Sequence, residues 1–352
     1  MTLLPVHILL VACSASLLNQ VTVVPYEHRF LEPSEIAVWH VTNLLLVTID
    51  GEGSVDCFRL SDGTRVGGLR LPQYRYRQMD TIATADDRLV CVAEAPQGSR
   101  VVVWQLPDGR RLSDFVVDNT CLRLVSRDAA GKNIVCTDAV CDDIVAVNLD
   151  EARVAWRQAR GYCNGVACNT DLSRVVRFTG ASAEGRDSDG GERWLVRATE
   201  DLYLEEYVFP DRSASNVAVA LESSDRGPAK YVRGLSCADG STAWRREIHE
   251  WGDLLAVSAD GSRQLFWAGG WLLATRLPGN HEQHARWLSG RPEAQYTADG
   301  KYVVLGAPLA TIKEDNTNHV YVYGRRTNEF DVLDARDLSP VAHIRAGGPV
   351  EK

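Results

Sequence analysis

Residues 297–304 read T-A-D-G-K-Y-V-V, and residues 258–266 read S-A-D-G-S-R-Q-L-F. Each stretch places a short Asp-Gly turn and a charged residue before a run of apolar residues. The same order recurs from residues 85, 128 and 170 and, less regularly, from residue 212. The residues taken as equivalent are separated by 38 to 48 positions and are Leu89, Ile134, Val175, Val217, Leu265 and Val303. A period of this length is typical of repeat proteins.

A second pattern follows the first by about 15 residues and consists of two β-type runs joined by a two-residue turn. The clearest copies are V-V-V-W-Q-L-P-D-G-R-R-L from residue 101 and G-L-S-C-A-D-G-S-T-A-W from residue 234. Others start at residues 55, 146 and 330. Asp-Gly between alternating apolar residues favours a β-hairpin, because glycine accepts positive φ without a Cβ clash. Each unit therefore holds about four short strands, and helical periodicity is nearly absent.

Four strands in about 40 to 45 residues are typical of one blade of a β-propeller. A single such sheet cannot bury both of its faces, so it needs neighbours arranged around a ring. We therefore expect an all-β fold, a propeller of seven four-stranded antiparallel blades forming one domain over residues 1–352. A predicted hairpin at His7–Ala15 and Val21–Tyr26 either completes the ring or adds an eighth blade. A β-sandwich is the alternative, but it does not explain the period.

The chain resembles the β-propeller group of tryptophan-aspartate (WD) repeat and quinoprotein-like domains. Val101–Leu112 is similar to the third and fourth strands of such a repeat, although the Gly-His and Trp-Asp dipeptides are absent. Trp156 and Trp244 each follow a turn and are similar to the tryptophans that pack between quinoprotein-like blades. Packing alone explains these tryptophans, because large aromatic side chains bury much apolar area. No cofactor is expected.

Three polar segments depart from the repeat and are expected to be loop insertions, at residues 180–193, 278–291 and 308–328. In repeat proteins such insertions map to loops at the faces, where binding residues are commonly found.

Two stretches are predicted to contact a partner. The first mixes arginine and tyrosine, and an arginine fork matches a phosphate or the carboxylates of an acidic peptide. Its alternation also fits the exposed face of a strand. The second lies in the insertion at 278–291. The candidate residues are Arg70, Tyr74, Arg75, Tyr76, Arg77, His281, His284 and Trp287.

No metal site and no catalytic residue are predicted. His281 and His284 lie three apart, but metal sites need three or four ligands, and no further pair is nearby. Asp187, Asp189 and Glu192 begin like a calcium loop and lack its distal glutamate. Nucleophile-elbow, phosphate-loop and dinucleotide-binding motifs are also absent.

The N-terminal segment leaves the compartment open. No Asp, Glu, Lys or Arg occurs over residues 1–26, and L-V-A-C ending at Cys13 is similar to a lipoprotein box. However, no base precedes the apolar run, and Pro5 interrupts it, which favours a hairpin over a secretory signal or an anchor.

Nine cysteines are present. Those in apolar β-type runs, Cys13, Cys91 and Cys136, are expected to be small buried hydrophobic residues. The pairs Cys136/Cys141 and Cys163/Cys168 could form disulfides in an oxidising compartment, whereas reduced thiols fit the cytoplasm.

The chain of 352 residues has 45% hydrophobic residues and a net charge of -9, which argues against a duplex nucleic-acid partner. We expect a cytoplasmic, non-catalytic scaffold that binds a protein or peptide, with no membrane partner. Two alternatives stay open. One is a secreted or periplasmic propeller enzyme, such as a lyase, hydrolase or quinoprotein-like oxidoreductase, and the other is an outer-membrane assembly lipoprotein.

Overall fold

A computed structural model describes residues 36–72, 79–128, 130–198, 202–206, 215–224, 229–247, 252–260, 262–268, 270–276, 284–288, 292–306 and 328–346. Within these ranges the regular structure is entirely β and comprises 28 strands in seven sheets. Each sheet is a four-stranded antiparallel blade in which consecutive strands are neighbours. The predicted seven-bladed β-propeller is therefore confirmed.

The first three blades occupy residues 36–159. Blade 1 holds β1 (Ile36–Val41), β2 (Leu45–Asp50), β3 (Ser54–Arg59) and β4 (Arg65–Arg70). Blade 2 holds β5 (Met79–Ala83), β6 (Arg88–Ala95), β7 (Gly98–Gln105) and β8 (Arg110–Asp118). Blade 3 holds β9 (Leu122–Arg127), β10 (Asn133–Asp138), β11 (Asp143–Asn148) and β12 (Arg153–Ala159).

The last four blades occupy residues 165–345. Blade 4 holds β13 (Gly165–Cys168), β14 (Arg174–Phe178), β15 (Ser182–Asp187) and β16 (Glu192–Arg197). Blade 5 holds β17 (Leu202–Glu206), β18 (Val217–Ser224), β19 (Ala229–Ser236) and β20 (Thr242–Glu247). Blade 6 holds β21 (Gly252–Val257), β22 (Arg263–Ala268), β23 (Trp271–Arg276) and β24 (His284–Trp287). Blade 7 holds β25 (Glu293–Tyr296), β26 (Tyr302–Gly306), β27 (Glu329–Asp334) and β28 (Pro340–Arg345).

Both repeated patterns fall at fixed places in the blades. The six apolar residues used to measure the period all lie in second strands, namely β6, β10, β14, β18, β22 and β26. The second strand of each blade is covered on both faces by the neighbouring blades, which explains its nearly continuous apolar run. The predicted hairpins join third and fourth strands, and Gly63, Gly109 and Gly240 in their turns have φ of 70–73°.

The first strands of the blades lie around the central axis. β1 contacts β5, β5 contacts β9, and β25 contacts β1, so the ring closes between blade 7 and blade 1. The core is divided into seven clusters of buried side chains, and each cluster fills the space between two adjacent blades. Each sheet thus covers the apolar face of its neighbour.

Two domain predictions need correction. Residues 180–193 were expected to form a loop insertion, but they hold β15 and the start of β16. Their polar sequence is misleading because the inward positions of β15 are the small residues Ala183 and Gly185, which face bulky neighbours. The segment 278–291 contains β24, and its remaining residues other than Leu288 lie outside the described residues, as do residues 308–327.

The second correction concerns the domain boundary. The chain divides into two compact units, Met1–Glu32 and Pro33–Lys352, and the propeller belongs to the second. The predicted N-terminal hairpin and Cys13 lie outside the described residues, and seven blades are complete without them.

Among the described residues, Cys57, Cys91, Cys121, Cys141, Cys163 and Cys237 are free thiols. Cys91 and Cys136 are buried in the core as predicted. Within the described part of the chain, no helix has the length and apolarity needed to cross a bilayer.

Candidate functional site

A cleft of about 480 Å³ lies where blade 1 meets blade 2. Its wall and floor are apolar and are formed by Leu71, Pro72, Met79, Cys91, Ala93, Val102 and Trp104. Its charged residues are Glu94, Arg100 and Arg111. The cleft therefore combines an apolar surface with a few polar groups, as ligand-binding clefts do.

The strands of blade 2 place these side chains on one face. Cys91 and Ala93 alternate along β6 and lie opposite Val102 and Arg100 of β7. Trp104 continues the same alternation on β7, and period-2 geometry turns all of these residues toward blade 1. Leu71 follows β4 and donates its N–H to the Gly53 carbonyl, which attaches the linker between the blades to blade 1.

Both arginines that line the cleft bind one carboxylate, that of Asp114. Arg100 donates from Nε and Nη2 to the two oxygens of Asp114, each at 2.7 Å. Arg111 donates from Nη1 to Asp114 Oδ2 at 2.9 Å. Two guanidinium groups against one carboxylate leave one positive charge. Among the described residues, Arg100 Nη1 and Arg111 Nη2 have no hydrogen-bond acceptor.

The pKa shifts agree with this geometry. Hydrogen bonding to Arg100 lowers the pKa of Asp114, so the carboxylate stays charged. The same hydrogen bond raises the pKa of Arg100. Glu94 is neutralised separately, because Arg123 Nη2 lies 3.1 Å from its Oε1.

Burial raises the pKa of the Cys91 thiol to about 12. Because the thiolate is the nucleophilic form of cysteine, this thiol in the cleft floor is not an activated nucleophile.

Of the residues predicted to bind a partner in the first stretch, Arg70 lies among the described residues. It ends β4 immediately before Leu71, its side chain is exposed, and its Nη2 lies 3.2 Å from Glu52 Oε2. Tyr74, Arg75, Tyr76 and Arg77 lie outside the described residues, in the six-residue stretch that joins Pro72 to Met79. Both of those flanking residues line the cleft.

The second predicted stretch is only partly described. His281 lies outside the described residues, whereas His284 and Trp287 begin and end β24. Their strand belongs to blade 6, so this stretch and the cleft lie on different blades.

In the described part of the chain, no group of three or more His, Cys, Asp or Glu side chains is arranged to hold a metal ion. Asp187, considered above as part of a calcium-like loop, instead forms ion pairs with Arg174 and Arg193. The Asp189 carboxylate accepts the Gly191 N–H within the turn between β15 and β16.

Sequence reasoning missed the cleft residues of blade 2. Arg100 and Asp114 are 14 residues apart, and they meet only because β7 and β8 pair in a register that places Val102 opposite Asp114. The alternation in R-V-V-V-W from residue 100 is the signal that could have placed Arg100 and Trp104 on one face.

No protein-family model matches this sequence, and no curated protein matches it. Solved structures match the fold. Hsv2 of Kluyvelomyces marxianus superposes with a TM-score of 0.54 at 12% identity, covering 85% of this chain and 92% of that chain. The RRP9 WD40 repeats give a TM-score of 0.53 at 10% identity, covering 78% of this chain and 87% of that chain. U3-55K gives 0.52 at 11% identity, covering 78% and 88%. At these identities the likeness establishes the propeller fold alone.

Proposed function

We propose that this propeller is a protein-interaction scaffold whose cleft between blades 1 and 2 binds an acidic segment of a protein partner. The observation that supports it is the Arg100–Asp114–Arg111 arrangement, which leaves a net positive charge and unused N–H groups beside an apolar wall. Guanidinium groups bind carboxylates through paired, directed hydrogen bonds, so they select an acidic side chain. Trp104 supplies the adjacent apolar contact.

The arginine-tyrosine stretch belongs to the same proposal. Arg75 and Arg77 are positively charged and would favour the same acidic partner. Tyr74 and Tyr76 would add aromatic contacts, which are enriched in protein interfaces. His281, His284 and Trp287 stay a separate prediction.

We also propose that the protein works in a reducing compartment. Six of the eight described cysteines, namely Cys57, Cys91, Cys121, Cys141, Cys163 and Cys237, are free thiols, which fits the cytoplasm. Intact-mass measurement with thiol counting would test this proposal.

Binding can be tested with two synthetic probes. One is a fluorescent nine-residue peptide that alternates glutamate and valine, and the other replaces each glutamate by lysine. We expect the acidic peptide to bind at least 10-fold more tightly, with an affinity that falls as salt increases, because screening weakens charge pairing. Fluorescence anisotropy titrations at two salt concentrations would measure it.

Variants would locate the site. Arg100→Gln and Arg111→Gln should each weaken binding of the acidic peptide at least 10-fold, the effect of losing one hydrogen bond to a charged group. Arg153→Gln is a matched control, because Arg153 is an exposed arginine of an outer strand, β12, and pairs with Glu151. Equal affinity for both peptides, or equal loss in all three variants, would contradict the proposal.

A further inference from the structure

The outer strand of blade 2 differs from the outer strands of the other blades. β8 has nine residues, whereas the other six outer strands have four to seven. Its arginines, Arg110 and Arg111, occupy the first two positions, L-S-D-F-V-V follows with one charge, and Asp118 ends the strand. Leu112 is 39% exposed and Val116 is 42% exposed. β8 therefore presents a long edge with exposed apolar side chains between its charged residues.

The backbone of β8 has hydrogen-bonding groups directed outward. Asn119 donates its N–H to the Gln97 carbonyl, so that pair is hydrogen-bonded. Because bonded and non-bonded pairs alternate in antiparallel sheets, Val117 and Phe115 bond to β7. Val116 and Asp114 therefore direct their N–H and C=O groups away from β7, and β8 is the last strand of its sheet among the described residues.

The residues of β8 whose backbone groups point outward have their side chains on the face of the sheet that forms the cleft. Asp114 lies on the cleft face, between Arg100 and Arg111, whereas Phe115 on the opposite face packs against the core between blades 2 and 3. An added strand would place every second side chain beside the two arginines. Its remaining side chains would lie beside Phe115. Acidic and apolar residues in alternation fit these two environments.

We propose that the open edge of β8 accepts an extended segment of a partner protein as a fifth strand of blade 2, with acidic residues on the cleft face and apolar residues on the other. This inference rests on the proposed function and adds the binding mode. Backbone hydrogen bonds then supply affinity, and the alternate side chains supply specificity.

The experiment uses the full chain and the fluorescent glutamate-valine peptide in three forms. One form is unmodified, and the other two carry N-methyl groups on alternate residues, at odd or at even positions. A strand that pairs along one edge loses binding when the N–H groups of that edge are methylated. We expect one methylated form to bind at least 10-fold more weakly than the unmodified peptide, and the other to bind within 2-fold of it.

Protein variants give an independent readout. Val116→Pro removes an outward N–H without removing a hydrogen bond to β7, and proline is tolerated at such edge positions. We expect a loss of at least 10-fold in binding. Leu195→Pro is the matched control, because Ala198 donates to the Ala181 carbonyl and Leu195 is therefore also an exposed, outward-facing residue of an outer strand. Circular dichroism would verify that both variants are folded, and Val116→Lys tests the same edge if the proline variant is not.

The outcomes separate the two proposals. If both methylated peptides bind like the unmodified one and Val116→Pro is silent, the strand-addition proposal is wrong, whereas loss of binding in Arg111→Gln would still support the cleft. If peptide-free protein forms a dimer that Val116→Pro abolishes, a second copy of the chain occupies the edge and the partner assignment is overturned.

Discussion

Single tryptophans determine how the fourth strands pack in three consecutive blades. Trp156, Trp194 and Trp244 lie opposite Ala146, Gly185 and Gly234 on the third strands. A Cβ on Gly185 would lie 2.0 Å from Trp194 Cε2. The large ring thus occupies space that the opposite residue leaves free, and Trp194 Nε1 donates to the Cys237 carbonyl of the next blade at 3.1 Å.

The first prediction concerns Trp244, which is buried between blades 5 and 6. Replacing it by alanine should lower the free energy of unfolding by about 3–5 kcal/mol, because a large cavity remains. Urea unfolding monitored by circular dichroism measures the change. Tyr162→Ala is the control, because Tyr162 is 82% exposed and should stay within about 0.5 kcal/mol of the parent. A Trp244→Ala curve that overlaps the parent curve would refute the packing assignment.

The second prediction tests the fit between Gly185 and Trp194. Gly185→Ala should destabilise the protein by about 1–3 kcal/mol, because the new methyl group overlaps the indole ring. In the Trp194→Ala background the same substitution should cost much less. A double-mutant cycle from unfolding curves measures this coupling, and purely additive effects would show that the ring does not determine the choice of glycine.

The third prediction uses the buried thiols. Desolvation by burial raises the pKa of Cys57, Cys91 and Cys237 from 9.0 to about 12, and for Cys57 the charge of Asp56 contributes as well. The folded state therefore holds these protons more tightly than the unfolded state. The contribution to stability is complete below pH 9 and is lost as pH rises from 9 toward 12, at about 1.4 kcal/mol per thiol per pH unit.

Unfolding curves at pH 8.5 and 10.5, with reductant present, measure that loss. The Cys91→Ala variant should lose less stability between the two pH values than the parent, because one titrating thiol is gone. A parent and a variant with identical pH dependence would contradict the assignment.

At the scale of the strand, many arginines lie on the fourth strands, which form the outer edges of the blades. The fourth strands carry the unpaired edges of the blades, and several of their arginines pair with carboxylates of their own blade. Examples are Arg65 with Asp56, Arg245 with Glu222, and Arg345 with Glu329. The exposed pairs of Arg65 and Arg345 are worth little as surface salt bridges, whereas Glu222 is buried. Their charges nevertheless disfavour edge-to-edge association of strands.

The fourth prediction follows from this role. Replacing Arg193 and Arg197 of β16 by valine would leave Leu195 between two apolar neighbours on an exposed edge. We expect aggregation at concentrations where the parent stays monomeric, measured by light scattering. The Arg193→Gln/Arg197→Gln protein is the control, because its edge stays polar. Equal scattering from the valine and glutamine variants would show that apolar edges do not drive association here.

The strands also show which parts of the fold can be predicted from the sequence and which cannot. Second strands were located because they are buried on both faces, and hairpins were located because Asp-Gly turns require positive φ. β15 escaped notice because its inward residues, Ala183 and Gly185, are small and leave no apolar alternation. The cleft was not predicted, because its lining residues come from two separate parts of the chain, the residues after β4 and one face of blade 2. Pairing across strands, rather than local sequence, brings Arg100 to Asp114.

At the scale of the whole molecule, closure of the ring is a packing event. In the part of the chain that the structure describes, each of the seven blades is built from consecutive strands, and no strand is shared between blade 7 and blade 1. Trp39 of β1 joins them instead. Its Nε1 donates to Glu293 Oε2 at 2.8 Å, its carbonyl accepts from Gln295 Nε2 at 3.3 Å, and its ring packs edge-on against Phe330 at 5.4 Å.

The fifth prediction tests whether this closure stabilises the entire ring. Without it, the propeller becomes an open row of blades, in which each blade contacts only its neighbours. Trp39→Ala removes the largest side chain of this junction and should cost about 3–5 kcal/mol. If the closed ring unfolds as one unit, hydrogen exchange should accelerate in all blades, including β14 of blade 4, on the far side of the ring. Acceleration confined to β1 and β25–β28 would instead show that the junction opens locally, because local opening exposes only the amides next to the break. In that case the remaining blades would be stable as an open array, and closure would not account for the cooperativity of the fold.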